Sequence, residues 1–280
     1  MINGIVSIIK PPGISSHDVV SRVRKKLNTR KVGHAGTLDP GAAGVMVLGV
    51  NKGTRLLEYV QNYKKVYRAE ITLGYETETG DLFSEITKQK QIESLTEEQW
   101  KDLLNSFIGK QLQTPPMTSA IKMDGVRLYE LARKGESVER EKRSIEIFSI
   151  KLVELLKESI IIDVMCSSGT YVRVLCEDIA RKSNNYGVMS FLLRKSIGPF
   201  SLDNSNMLDE NIEIKPMSQA VEPMESLILE EKQLEDIKHG RALPSEKKFN
   251  DNIALISKES ELVAIAYYEN ELIKPKKVFI

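Results

Sequence analysis

The residue whose setting most suggests chemistry is Asp39. It lies in GHAGTLDPGAAG, residues 33–44, a stretch with four glycines and three alanines, and Pro40 follows it directly. Glycine permits backbone angles and close approaches that other residues resist. A proline fixes its own φ and pushes the residue before it out of the helical region. The segment therefore reads as a shaped loop that holds one carboxylate in a backbone-defined place, with His34 five residues earlier. The alternatives are a carboxylate presented for chemistry and an Asp-Pro turn with ordinary loop hydrogen bonding. A second anomaly is Arg173 in SSGTYVRVLCED. It falls in the first turn of a predicted helix, where the dipole disfavours a cation. Glu177 is its i+4 partner in the weaker orientation, worth only a few tenths of a kcal/mol. Arg173 is thus a functional position that breaks a local rule, or one half of a surface pair.

Other chemistries lack their residues. The chain holds no GxxxxGK[ST], GxGxxG, HExxH or GxSxG pattern, so phosphate cradles, zinc hydrolysis and a serine elbow have no support. His17, His34 and His239 are widely spaced, and Cys166 and Cys176 are the two cysteines of the 280 residues. Two cysteines make neither a disulfide framework nor a zinc site. No apolar run approaches the roughly 18 residues of a membrane span, and the N-terminal apolar run lacks the flanks of a signal peptide; a cytoplasmic location is expected. The net charge of +1 hides an asymmetry. Residues 1–68 carry twelve basic and three acidic residues, whereas residues 201–270 carry seven basic and fifteen acidic. A basic segment suits an anionic partner or a solvated helix face.

The elements that must position these residues follow from periodicity. Residues 4–9 read as a buried strand, SSHDVVSRVRKKLN as a helix capped by Ser15 or Ser16, and 45–50 as a central strand. Thr54 is expected to cap a short helix carrying Leu56, Leu57 and Val60. In KVYRAEITL, residues 65–73, Tyr67, Ala69, Ile71 and Leu73 share one face of a strand. The capping box Thr96–Gln99 opens a helix that buries Trp100, Leu103, Leu104 and Phe107. Residues 111–142 suggest a long excursion with a short helix near 126–134, followed by strands near 145–155 and 159–166 and a helix near 171–183 that buries Cys176. NSNMLDENIEIKP reads as connecting structure, and residues 226–280 as a small β-rich unit. Strands and helices alternate without a βαβ rhythm, which favours α+β.

With these residues in place the chain closely resembles a known family. KPPGISSHD, GHAGTLDPGAAG, VYRAEITLG, PPMTSAIKMDGVRLYELARKG and CSSGTYVRVL, in that order, resemble the motifs of the TruB family of bacterial tRNA pseudouridine synthases. The resemblance spans residues 3–200 and fades after about 205, where HGRALP and the position of the segment suggest the family's small β-barrel RNA-binding module, the PUA domain. The resemblance implies an α+β fold with a mixed, largely antiparallel central sheet flanked by helices, a catalytic domain over 1–222 and a PUA-like domain over 223–280. It implies conversion of the T-loop uridine of tRNA, position 55, to pseudouridine without a cofactor. Matched residue by residue, Asp39 is the nucleophile, which as a carboxylate needs no base so long as it stays ionised. Arg173 is the arginine that pairs with it, and Tyr67 the tyrosine that stacks on the target base, although a core tyrosine fits that position equally. The target nucleotide has to be flipped out of its stack, and His34 matches the residue that replaces displaced bases. Lys10, Tyr171 and Leu193 match positions lining the pocket.

Residues 113–142 resemble the insertion that closes over the RNA arm, with Lys122, Arg127, Arg133 and Lys134 as phosphate contacts. The acidic tail departs from what an RNA-gripping module requires, unless Lys238, Arg241, Lys247 and Lys248 form a local basic patch. The expected partner is tRNA, with no membrane, no metal and no obligate protein partner, and the chain is expected to be a monomer. Two other readings are a tRNA-folding factor that grips the elbow with catalysis secondary, and an RNA-guided synthase within a larger particle.

Overall fold

The computed structural model describes residues 2–119, 121–123 and 125–280, with Lys122 described in its backbone alone. Strand β1 (Gly4–Lys10) is buried along nearly its whole length. Helix α1 (Ser16–Lys26) begins at the N-cap Ser15, whose side chain and that of Asp18 form a reciprocal capping box, and it buries Val19, Val20 and Val23. Strands β2 (Val32–His34) and β3 (Ala43–Val50) flank the glycine-rich loop. The helix expected to start at Thr54 begins earlier: a 3₁₀ turn over Asn51–Leu56 leads into α2 (Leu57–Gln61). Thr54 lies inside that turn, and its hydroxyl donates to the Asn51 carbonyl at 2.7 Å instead of capping. The tight start suits Gly53, because a Cβ there would collide with the main chain of Gly4.

Strand β4 (Lys65–Leu73) alternates buried and half-buried residues without a break, as its period-2 pattern requires. A hairpin of β5 (Tyr75–Thr77) and β6 (Ile86–Gln89) follows. Helix α3 (Glu97–Asn105) carries the expected capping box. It buries Trp100 and Leu104, while Leu103 and Phe107 are half-buried. The excursion contains β7 (Gly109–Gln113), β8 (Lys122–Met123), β9 (Val126–Arg127) and α4 (Leu128–Arg133). Long strands β10 (Arg143–Leu155) and β11 (Ser159–Cys166) precede α5 (Val172–Lys182), which buries Cys176 completely. An unanticipated strand, β12 (Gly187–Ile197), comes next. The sequence expected as connecting structure contributes the two-residue strand β14 (Asn206–Met207), after the equally short β13 (Phe200–Ser201).

Contacts divide the chain into two compact units, one formed by residues 1–39, 45–62 and 197–280 and the other by 40–44 and 63–196. In the first, β1 lies between β14 and β3, pairing in parallel with β14, and β2 pairs antiparallel with the end of β3. The tail adds a five-stranded sheet in the order β15-β17-β18-β19-β16, made of β15 (Ser226–Ile228), β16 (Leu243–Pro244), β17 (Ile253–Ile256), β18 (Leu262–Glu269) and β19 (Leu272–Val278). Helix α6 (Glu231–Lys238) sends Ile237 into its core beside Leu255, Val263 and Ile273. The tail is tied to α2 and the turn before it. Lys52 and Arg55 donate to the carbonyls of Phe279 and Val278 at 2.5 and 2.7 Å, and Lys277 pairs with Glu58.

The second unit is built on the strand order β12-β4-β11-β10-β7. Its β4–β11–β10–β7 portion is antiparallel throughout, whereas β12 meets the first residues of β3 in parallel, Leu193 opposite Ala43 and Arg194 opposite Gly44. One face is apolar. On the other, Arg68 donates to both Asp163 oxygens at 2.7 and 2.8 Å and Lys195 joins at 3.0 Å, a cross-strand polar set that specifies register. No helix among the described residues is long and apolar enough to cross a membrane.

Candidate active site

In the first unit the acidic loop is shaped from beneath. Ser16, in the first turn of α1, is buried. Its Oγ donates to the Leu38 carbonyl at 2.9 Å and accepts from the Leu38 amide at 2.8 Å. One hydroxyl thus holds both main-chain groups of the residue before Asp39. Ala35, Leu38 and Ala42 are buried around the loop, leaving Asp39 half-buried. Gly36 at φ 139° takes a conformation that favours glycine, and its amide donates to His34 Nδ1 at 3.3 Å. His34 ends β2 half-buried. Lys10 ends β1 fully buried, its ammonium donating to the carbonyls of Pro11 and Ile14 at 3.0 and 2.7 Å. It therefore shapes the KPPGI turn that delivers α1 and Ser16.

In the second unit Tyr67 is buried on β4 opposite Val164. Arg173 is 5% exposed, so the surface-pair alternative fails; Glu177 bonds instead to Arg181 at 3.4 Å. Arg173 donates Nη1 to the Thr79 carbonyl at 3.0 Å, the Thr118 hydroxyl at 2.7 Å and Asp81 Oδ2 at 3.4 Å, and Nη2 to the Thr118 carbonyl at 3.1 Å. A buried carboxylate and three neutral oxygens explain how a cation is tolerated at the positive end of a helix. Asp81 is itself fixed by the Thr79 hydroxyl and the Phe83 amide on its other oxygen, at 2.6 and 3.0 Å. Tyr171 is the N-cap of α5 and Leu193 lies half-buried on β12.

Two further buried cations lie in this unit, Lys65 on the same strand as Tyr67 and Arg194 on β12. Arg194 is 1% exposed and Lys65 7%. Burial, aided by Arg194 and opposed by Cys166, pulls the Lys65 ammonium down to about 8. Period-2 reading places Lys65 on the buried face of β4, a signal available in the sequence that the apolar pattern obscured. Asp81, Thr79, Thr118 and Ser16 carried no such signal, since each meets its partner through tertiary contact.

Arg127 and Arg133 are exposed over the Tyr129 ring, at 5.9 and 5.5 Å from its centroid. Lys134 is exposed as well, and the side chain of Lys122 lies outside the described residues. The expected basic patch of the tail is largely neutralised: Lys238, Arg241 and Lys247 pair with Glu235, Asp236 and Glu225 at 2.6, 3.1 and 3.2 Å. Among the described residues no group of three or more acids, histidines and cysteines is placed to hold a metal ion.

The chain is similar to known proteins. The family model described as TruB family pseudouridylate synthase (N terminal domain) matches residues 24–172. A protein of Carboxydothermus hydrogenoformans named tRNA pseudouridine synthase B is 39% identical over 284 residues, covering 99% of both chains. One of the same name from Alkaliphilus oremlandii is 49% identical over 228 residues, 81% of this chain and 74% of its own. A chain of a solved Cbf5–Nop10–Gar1 complex superposes over 99% of this chain and 85% of its own with a TM-score of 0.77 at 24% identity, a likeness of fold. The chain belongs to the TruB family of pseudouridylate synthases.

Proposed function

We propose that this chain is a tRNA pseudouridine synthase that acts on the T-loop uridine at position 55, with Asp39 as nucleophile. The observation that carries the reading is the full-length likeness to a relative named tRNA pseudouridine synthase B, joined to a loop whose backbone is clamped by Ser16 one residue before the acid. In the reaction the bond from the ribose anomeric carbon to ring nitrogen 1 breaks and a bond to ring carbon 5 forms. The proton on carbon 5 is lost and nitrogen 1 gains one, so product and substrate have the same atoms. Asp39 acts as a nucleophile that needs no base while ionised. Arg173 supplies the positive charge that keeps it so. Tyr67 provides the surface against which the detached uracil turns and takes part in proton transfer. His34 fills the space the flipped nucleotide leaves, with Lys10, Tyr171 and Leu193 around the base.

Arg127, Arg133, Lys134 and Lys122 are the phosphate contacts of the 113–142 insertion. Residues 223–280 form a PUA-like module beside a catalytic domain of residues 1–222. Three of its four candidate basic residues are ion-paired, which argues that it adds little electrostatic grip.

The test is incubation of the purified protein with an unmodified tRNA transcript, followed by mapping of pseudouridine. Modification at position 55 is expected; modification confined to another uridine overturns the site, and none overturns the activity. Asp39→Asn is expected to bind the transcript as the wild type does and to lose isomerisation by at least about 10⁴-fold, the scale of losing a nucleophile. A rate near that of the wild type would remove Asp39 from the mechanism.

A further inference from the structure

Thr118 has no role in the scheme above, yet it takes two of the hydrogen bonds that Arg173 donates, on Oγ1 at 2.7 Å and on its carbonyl at 3.1 Å. It lies in PPMTSAIK, near the opening of the 113–142 segment. A second tie joins that segment to the same turn of α5. The Tyr171 amide donates to Gln113 Oε1 at 2.8 Å, and Gln113 Nε2 donates to the Tyr171 carbonyl at 3.1 Å. The segment therefore grips the start of α5 at its N-cap through Gln113 and at Arg173 through Thr118.

The two acceptors on Thr118 differ in kind from Asp81. They are neutral, so they do little to balance the charge. A guanidinium is planar with its donors in a rigid fork, and two acceptors on one residue fix the orientation of that plane. Thr118 is connected in turn to the exposed cations. The Tyr129 amide donates to the Ser119 carbonyl at 3.1 Å, and Arg127 and Arg133 both lie over the Tyr129 ring. The Leu128 amide donates to the Ile121 carbonyl at 2.9 Å, fixing the start of α4 to the same stretch. Ser119 itself buries its hydroxyl without a hydrogen-bond partner among the described residues. Such a group is costly when left unmet, so the dipeptide is not arranged for stability alone.

We propose that Thr118 is a positioning residue through which RNA held by Arg127 and Arg133 sets the plane of the Arg173 guanidinium. The proposal rests on the reading of the chain as a pseudouridine synthase with Arg173 in its site. Thr118→Val keeps the shape and the carbonyl acceptor but removes the hydroxyl. In single turnover with saturating tRNA transcript it is expected to slow isomerisation by about tenfold or more, the scale of one hydrogen bond to a charged group, with the Kd for the transcript unchanged. Thr118→Ser, which restores the acceptor, is expected to recover the wild-type rate. A wild-type rate in Thr118→Val, a loss explained by weaker binding alone, or a Thr118→Ser protein as slow as Thr118→Val would each overturn the proposal.

A readout independent of turnover is the ¹⁵N resonance of the Arg173 side chain. It is expected to move in Thr118→Val but not in Thr118→Ser. Binding of a T-arm RNA hairpin is expected to move it in the wild type and not in Thr118→Val. Unchanged resonances across all of these overturn the coupling. A wild-type protein that makes no pseudouridine overturns the enzymatic reading instead, and the resonances still decide the role of Thr118.

Discussion

Arg173 directs its described hydrogen bonds to three residues on two stretches of chain, Thr79 and Asp81 on one and Thr118 on the other. None of these lies within one turn of it, so its cost at a helix N-terminus is met by residues that local sequence rules never compare with it. Lys65 shows the same principle without full relief. Its depressed pKa, about 8 against 10.5 for an ordinary lysine, means that between those values the unfolded chain carries a proton the native chain has shed. The contribution of this group to stability therefore rises with pH across that window and is lost as pH falls through about 8. Lys65→Met is expected to abolish that rise. The gap in unfolding free energy between variant and wild type should shrink by up to about 3 kcal/mol from pH ~8 to pH ~10 in urea titrations. An unchanged gap would mean that Lys65 is not a depressed group. Cys166, pushed up to about 11 by burial against a lowering by Lys65, acts in the opposite direction, so the comparison is made in a Cys166→Ala background that carries neither the thiol nor its coupling to Lys65.

At the scale of elements, the local signals and the structure agree wherever one face is dry. The alternation of β4, the serine cap of α1 and the capping box of α3 were legible because they depend on residues two to four positions apart. Strand β12 was not, since its burial does not alternate cleanly along GVMSFLLRKSI. Its register with β3 depends on Gly44, which has φ 113° and whose added Cβ would stand 2.6 Å from the Arg194 amide nitrogen. Gly44→Ala is therefore expected to cost more than about 2 kcal/mol, read from the urea midpoint, because the obstacle is main chain and the backbone conformation is strained as well. A loss below that would show that the two strands separate easily. The Ser16 clamp on Leu38 makes a different prediction. Ser16→Ala is expected to raise hydrogen exchange of the Leu38 amide by about tenfold or more, the scale of one buried hydrogen bond. The loop ahead of Asp39 loosens while α1, capped by Ser15, persists. Unchanged exchange at Leu38 would remove Ser16 from the shaping of the loop.

For the whole molecule, charge is segregated along the chain, basic at the N-terminal end and acidic in the tail. The tail's cations are largely paired with its own acids, whereas Arg127, Arg133 and Lys134 are exposed. Affinity for RNA should accordingly fall steeply with salt and owe little to the tail. Arg133→Gln is expected to weaken binding to all transcripts alike and to lessen the slope of log K against log salt by about one. An unaltered slope would place the phosphate contacts elsewhere. The tail has its own core and is anchored through Lys52 and Arg55 of the turn before α2 and through Lys277 to Glu58.

What the sequence determined by itself was the order and character of most elements, the family motifs, the buried face of Tyr67 and the shaped loop around Asp39. Hydrophobic period, capping and glycine conformation act over a few residues and leave marks in order along the chain. What the tertiary structure alone decided was the set of partners of each buried polar group: Ser16 for Leu38, Asp81 and Thr118 for Arg173, burial and Arg194 against Lys65. A buried charge or main-chain group must be satisfied by whatever oxygen or nitrogen the fold brings within about 3 Å, and sequence separations such as the 92 residues between Asp81 and Arg173 leave no local pattern from which to read that meeting.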